Sequence, residues 1–186
     1  MDGGRPGVTS IVIEDSGNGI QDTSDDGASG KPLSLRELLP SERIGLDVKA
    51  GTWQEAVRES GKLLLESGAV TPEYIEAMVK VAEELGPYIA IAPGIALPHA
   101  STEAGAKQTA LSLIKLAEPV NFGNPDNDPV RLVFGLAAVD HTTHIVALQA
   151  LAELFLSKEL MNQLFNAKST MSVIDVFRQA EKILHK

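Results

Sequence analysis

The chain has 186 residues, a formal net charge of −9, a hydrophobic fraction of 44% and no cysteine. That length and apolar content suit one domain with a real core, and no apolar run approaches the roughly 20 residues that a membrane-spanning helix needs. The balance of 25 acidic against 16 basic residues argues against nucleic acid as a partner, and the missing cysteines exclude disulfides, thiolate metal sites and a thiol nucleophile. The N-terminus has no basic stretch followed by an apolar one, so a cytoplasmic protein without direct membrane insertion is expected.

Residues 1–32 hold seven of the 16 glycines and six acidic against two basic residues, with no aromatic side chain. Such a segment buries too little apolar area to offset its ordering entropy, so it is expected to be a disordered acidic Gly/Ser-rich extension, with residues 33–186 forming the domain. Ile44–Val48 alternates apolar with small or polar residues, the pattern of a half-buried strand. A helix follows: Thr52 and Glu55 form a capping box, Trp53, Ala56, Val57, Leu63 and Leu64 keep helical spacing, and Gly68 stops it. The next helix has Thr71 as cap, Pro72 in its first turn, an inner face of Ile75, Met78, Val79 and Ala82, and Gly86 as its end. Its last turn carries Glu83 and Glu84, which oppose the helix dipole.

Tyr88–Ala92 reads as a strand, and after Pro93-Gly94 the apolar trio Ile95-Ala96-Leu97 runs into Pro98-His99-Ala100. Thr109–Leu116 and Val130–Val139 are apolar enough to be central strands, with Asp126-Asn127-Asp128-Pro129 marking the loop between them. The rest is helical: one amphipathic stretch through Ile145, Leu148, Leu151, Ala152, Phe155 and Leu156, a short one over Leu160–Ala167, and a last one through Val173, Val176, Phe177, Ala180 and Leu184, capped by Ser169 or Ser172. Strands interleaved with helices give an α/β fold. The uneven connections favour a single domain with a mixed β-sheet flanked by helices over a doubly wound parallel sheet.

No Gly-x-Ser-x-Gly, Walker-type or dinucleotide-binding glycine pattern is present, so the nucleophiles narrow to four histidines and ordinary hydroxyls. His99 follows a strand and a proline whose fixed φ stiffens the backbone, a perch suited to a catalytic group; the alternative is a histidine that only caps a strand end. Asp140-His141-Thr142-Thr143-His144 follows the most apolar strand and opens a helix, where free N–H groups attract anions such as phosphate. His141 and His144, three residues apart, share a helical face, so His99, His141, His144 and Asp140 also read as candidate metal ligands. His185, beside the C-terminal Lys186, reads as a solvated tail residue.

The stretch Gly86–Ala100 carries Ile91 and Ala92, then Ile95-Ala96-Leu97-Pro98-His99, with Glu84 fifteen positions before the histidine. This pattern resembles the phosphorylation site of the type 2 (mannitol/fructose-type) IIA domain of the bacterial sugar phosphotransferase system, and the likeness extends over residues 33–184. The loop Phe122–Val130 with Asn127-Asp128-Pro129-Val130, and Ala137-Ala138-Val139-Asp140 followed by His144, resemble the ascorbate-specific branch. Glu83 stands where the sugar-alcohol branch commonly has arginine.

The resemblance implies the mannitol/fructose-type EIIA fold and a phosphotransferase without cofactor or metal. In it His99 takes a phosphoryl group from the phosphocarrier protein HPr and passes it to a cysteine of a cognate EIIB, serving the membrane component EIIC indirectly. By the same resemblance His144 stabilises the phosphoryl group and Glu84 orients the site, while His141 has no counterpart. An alternative within the fold is a regulatory, nitrogen-type EIIA paralogue that controls partner proteins through its phosphorylation state.

Overall fold

The structure, a computed structural model, describes residues 33–184. The extension expected at residues 1–32 and the terminal His185 lie outside the described residues. In chain order the elements are α1 (Leu35–Leu38), β1 (Ile44–Val48), α2 (Trp53–Glu66), α3 (Pro72–Leu85), β2 (Ala90–Ala92), β3 (Ile95–Ala96), β4 (Ala110–Val120), β5 (Val130–Ala137), α4 (His141–Leu156), α5 (Lys158–Asn166) and α6 (Thr170–Leu184), with short 3₁₀ turns between several of them. The five strands form one sheet in the order β1-β4-β5-β3-β2. β1 runs parallel to β4 and β3 parallel to β5, whereas β4–β5 and β2–β3 are antiparallel, so the sheet is mixed as expected.

Strand alternation divides the core into two layers. Leu111, Leu113, Leu132, Phe134 and Leu136 point to one face and pack with residues of α1, α4, α5 and α6. Ala110, Ile114, Leu116, Val133 and Ala137 point to the other, against α2 and α3. Both faces of β4 and β5 are therefore covered, which is why these strands read as nearly continuous apolar runs.

A buried polar contact joins β4 to α2 across the second layer. Ser112 Oγ, fully buried on β4, donates to the Ser60 carbonyl of α2 at 2.7 Å, and Ser60 Oγ donates to Val57 O at 2.7 Å. Opposite Ser112 on β5 stands Gly135, where a Cβ would collide with Ser112 Oγ. The Ser112 hydroxyl that links β4 to α2 thus requires glycine at this position.

Several boundaries differ from the sequence expectation. Tyr88 and Ile89 belong to a 3₁₀ turn, Gly86–Ile89, rather than to a strand. Gly86 takes a φ of +60°, and Pro87 has no N–H for a ladder. β4 runs four residues past Leu116, and β5 stops at Ala137. α2 is capped by Thr52 as expected, but the Glu55 carboxylate accepts from Gly51 N–H rather than closing the box on Thr52. Thr71 stands at the α3 cap without a side-chain bond to the helix backbone; it pairs with the Glu73 carboxylate and helps to hold that group below its ordinary pKa, behind a larger contribution from Glu73's own backbone N–H.

On α3 it is Tyr74, not Ile75, that is fully buried, and on α4 the buried residues are Ala147, Leu151 and Leu154, while Leu156 is 82% exposed. α4 is apolar nearly all round, so its periodicity does not select a face. α5 begins after Ser157, whose Oγ accepts from Leu160 N–H, and of the two serines offered for α6 it is Ser169 that caps, accepting from Ser172 N–H. The turn of helix at α1 had no sequence signal assigned to it.

Gly135→Ala is expected to lower unfolding free energy by about 1–3 kcal/mol through overpacking. Adding Ser112→Ala, which removes the colliding oxygen, recovers most of the loss in urea melts. A single variant as stable as the wild type contradicts the requirement for glycine.

Candidate functional site

The parallel neighbours β3 and β5 end on the same side of the sheet. The chain leaving β3 stays beside β5: Leu136 N–H donates to the Pro98 carbonyl at 3.1 Å, and His99 bridges to Leu136. The chain leaving β5 turns at Val139 into α4, and His144 in its first turn meets His99 with ring centroids 5.4 Å apart and planes inclined by 52°. The two histidines, 45 positions apart in sequence, share one cleft because their parent strands are paired. The cleft, about 330 Å³, is bordered by Val81, Ser101, Thr102 and His141 as well. A larger hollow of about 450 Å³ at the start of α2, near Thr52, Trp53 and Pro119, contains no histidine.

The His99 ring is half-buried and its orientation is fixed: Nδ1 lies 2.9 Å from the Leu97 carbonyl oxygen. A carbonyl only accepts, so Nδ1 carries a proton, and in the neutral ring the lone pair is then on Nε2. The backbone around the ring is fixed in turn by Tyr74 of α3. Its hydroxyl is fully buried, donates to Leu136 O at 2.8 Å and accepts from Ala100 N–H at 3.1 Å, so one side chain joins α3, β5 and the residue after His99. Burial pushes the Tyr74 phenol above its ordinary pKa, keeping it protonated as this bridge requires. Sequence reading passed over Tyr74. The 74-78-82 spacing with Met78 and Ala82 was the available signal for its inward face.

His144 is half-buried. Burial, then the positive charge available to His99 and His141, lowers its pKa, so it is neutral at pH 7 and retains one N–H donor. The N-terminus of α4 is occupied by its own cap: Asp140 Oδ1 accepts from Thr143 N–H at 2.7 Å, and these backbone bonds hold the Asp140 carboxyl below the usual carboxylate range. The cap thus takes up Thr143 N–H among the donors expected at this helix start. Thr109, also missed in the sequence, locks the turn from β5 to α4: Oγ1 donates to Thr143 Oγ1 at 3.1 Å and accepts from Val139 N–H at 3.3 Å.

His141 borders the cleft and is exposed. Glu84 is exposed near the end of α3, one turn beyond Val81, and has no hydrogen bond to either imidazole. Among the described residues no three or more His, Asp or Glu side chains gather to hold a metal ion, so Asp140 does not join His99, His141 and His144 in a ligand set. Exposed apolar side chains flank the histidines in sequence: Val139 precedes Asp140, Ile145 follows His144, and Leu85 lies one turn beyond Val81.

Residues 37–180 match the model of the phosphoenolpyruvate-dependent sugar phosphotransferase system, EIIA 2 family. The chain belongs to this EIIA family. The ascorbate-specific PTS system EIIA component of Escherichia coli K12 is 38% identical over 146 residues, 77% of this chain and 95% of that protein. The solution structure of the mannitol-specific cryptic phosphotransferase enzyme IIA of Escherichia coli superposes with a TM-score of 0.71 at 37% identity, covering 79% of this chain and 99% of the other. Enzyme IIA for mannitol from Escherichia coli, in a complex with phosphorylated enzyme IIB, is 30% identical with a TM-score of 0.67, covering 76% and 99%. EIIA components are phosphotransferases, and this EIIA shares their mixed-sheet fold. Among its described residues no helix is long and apolar enough to cross a membrane.

Tyr74→Phe keeps the ring but strips Leu136 O and Ala100 N–H of their shared partner. A stability loss of about 1–3 kcal/mol is expected, together with a change in the His99 ring ¹⁵N shifts as the segment loosens; unchanged shifts mean that the hydroxyl does not hold the ring. His144 gives a pH signature. The unfolded imidazole takes up a proton as pH falls through about 6.5 whereas the folded one resists, so stability is lost on acidification through that range. His144→Gln should flatten this part of the stability–pH curve, and an identical curve in both proteins argues against a neutral His144.

Proposed function

We propose that this EIIA is a phosphoryl carrier of the phosphoenolpyruvate-dependent sugar phosphotransferase system, with His99 as the residue phosphorylated. The carrying observation is the hydrogen bond from His99 Nδ1–H to Leu97 O. In the neutral ring it leaves the lone pair on Nε2, in a cleft open to a protein partner. In the transfer, Nε2 forms a bond to phosphorus as the nitrogen–phosphorus bond of the HPr phosphohistidine breaks, and that electron pair returns to the donor ring. No proton has to leave His99, because its ring proton stays shared with Leu97 O. The chemistry is largely positioning and charge stabilisation. His144, neutral and with its ring 5.4 Å from that of His99, suits a hydrogen-bond donor to a phosphoryl oxygen.

The next acceptor is a cysteine of a cognate EIIB, consistent with the enzyme IIA–phosphorylated enzyme IIB complex formed by a relative. EIIC, in the membrane, receives the benefit only through EIIB, and the carrier works on the cytoplasmic side. Ascorbate is the cargo that this reading favours, supported by the 38% identity to ascorbate-specific EIIA components over most of their length. Glu84 orients the site only through the end of α3, since it has no hydrogen bond to either ring.

Incubation with phosphoenolpyruvate, enzyme I and HPr should add the mass of one phosphoryl group, labile in acid and absent from His99→Ala. The bound group should then pass to an ascorbate-type EIIB faster than to a mannitol-type one. No mass gain rejects the carrier role; equal transfer to both EIIB types rejects the ascorbate assignment.

A further inference from the structure

Resting on that carrier reading, we propose that His141 is a second phosphoryl-contacting residue, whose imidazolium supplies the positive charge that the site otherwise lacks. A phosphoryl group on His99 brings close to two negative charges and three oxygens into a cleft bordered by Val81, Ser101, Thr102 and three histidines, with no lysine or arginine among them. The main-chain donors at the start of α4 carry no formal charge to set against it. Thr143 N–H is committed to Asp140, and the Asp140 carboxylate adds a negative charge of its own. His144 offers one N–H, but its half-buried place keeps it neutral.

His141 is the histidine left over. It lies on the wall of the same cleft, one turn before His144 on the same helix face, and near enough to bear electrostatically on that ring. It is exposed, so a positive charge there costs no desolvation. The charged or titratable groups facing it are Asp140 and His144 on its own helix and His99 across the cleft; Glu84 and Glu103 stand at the ends of the bordering elements. A dianion on His99 pairs with the two outer imidazoles in different ways: His144 donates a neutral hydrogen bond, and His141 provides charge.

The transfer step is unchanged in its bonds. One nitrogen–phosphorus bond breaks and one forms, and the electron pair of the broken bond stays on the HPr nitrogen. His141 gains no bond to phosphorus; its protonated ring pairs with the transferred oxygens and the proton remains on it.

The test uses the full chain with phosphoenolpyruvate, enzyme I and saturating HPr, comparing wild type with His141→Ala, His141→Lys and His141→Glu. His141→Ala should lower the maximal rate of phosphoryl acceptance about tenfold, as expected for about 1.4 kcal/mol of lost charge stabilisation, with little change in the HPr concentration for half-saturation. His141→Lys should restore the rate to within about threefold of wild type, and His141→Glu should fall below His141→Ala. Thermal melts of all four should coincide, because the residue is exposed. A lysine variant no faster than alanine, or three variants equal to wild type while wild type is phosphorylated normally, overturns the assignment of His141 alone. A wild type that takes up no phosphoryl group overturns the carrier reading and this one with it.

Discussion

The parallel pairing of β3 with β5 is the constraint on which the site depends. β3 is only two residues long, yet its ladder to Leu132 and Val133 continues past its end through Pro98 and His99 to Leu136. Because the two strands run the same way, the segment after β3 and the helix after β5 emerge side by side, and His99 meets His144. Had β3 run antiparallel to β5, the two histidines would stand at opposite ends of the strands. A two-residue strand holds this geometry poorly alone, and the Tyr74 hydroxyl supplies the missing anchorage by satisfying one donor and one acceptor in the dry core.

Rigidity and exposure are divided between the two halves of the cleft. The His99 side is tied by the Leu97 carbonyl, the Pro98 ring and Tyr74, so the imidazole has one orientation. The α4 side is tied by the Asp140 cap and the Thr109 hydroxyl, which set where the helix begins and therefore where His141 and His144 fall. In a chain of net charge −9 the cleft collects three of the four histidines. The proposed carrier role draws on this grouping, since imidazoles are the side chains whose charge can respond to an anion near neutral pH.

The loop before β5 carries a similar division of labour. Asp128 accepts from the Phe122 and Gly123 N–H groups at 2.8 Å each, and Asn124 and Asn127 donate to Ala90 O, binding the loop to the edge strand β2. Gly94, at a φ of +78°, lets the β2–β3 hairpin turn beneath Phe165 and in contact with Asn127 O. The register of β3 is thereby fixed from its outer side, as Tyr74 fixes it from α3.

The sequence by itself determined the layers, the elements and the acceptor candidate. The β1, α2, α3, β4 and β5 segments carry periodicity and end signals strong enough to read. The Pro98-His99 step marked a stiff histidine at a strand end before any geometry was known, because proline geometry and strand burial are local properties. The sequence did not determine which face α4 buries, since an all-round apolar helix has no preferred face until it packs. Nor did it reveal that Asp140 caps α4 through Thr143 N–H, since the same residue type reads equally as ligand, solvated charge or cap. The clamp roles of Tyr74 and Thr109 were invisible for a related reason: a hydroxyl becomes a clamp only when folding carries distant carbonyls and N–H groups to it. Tertiary structure decided the buried face of α4 and the two hydroxyl clamps, because each is a contact between segments far apart in sequence, whereas the Asp140 cap is a local contact with Thr143.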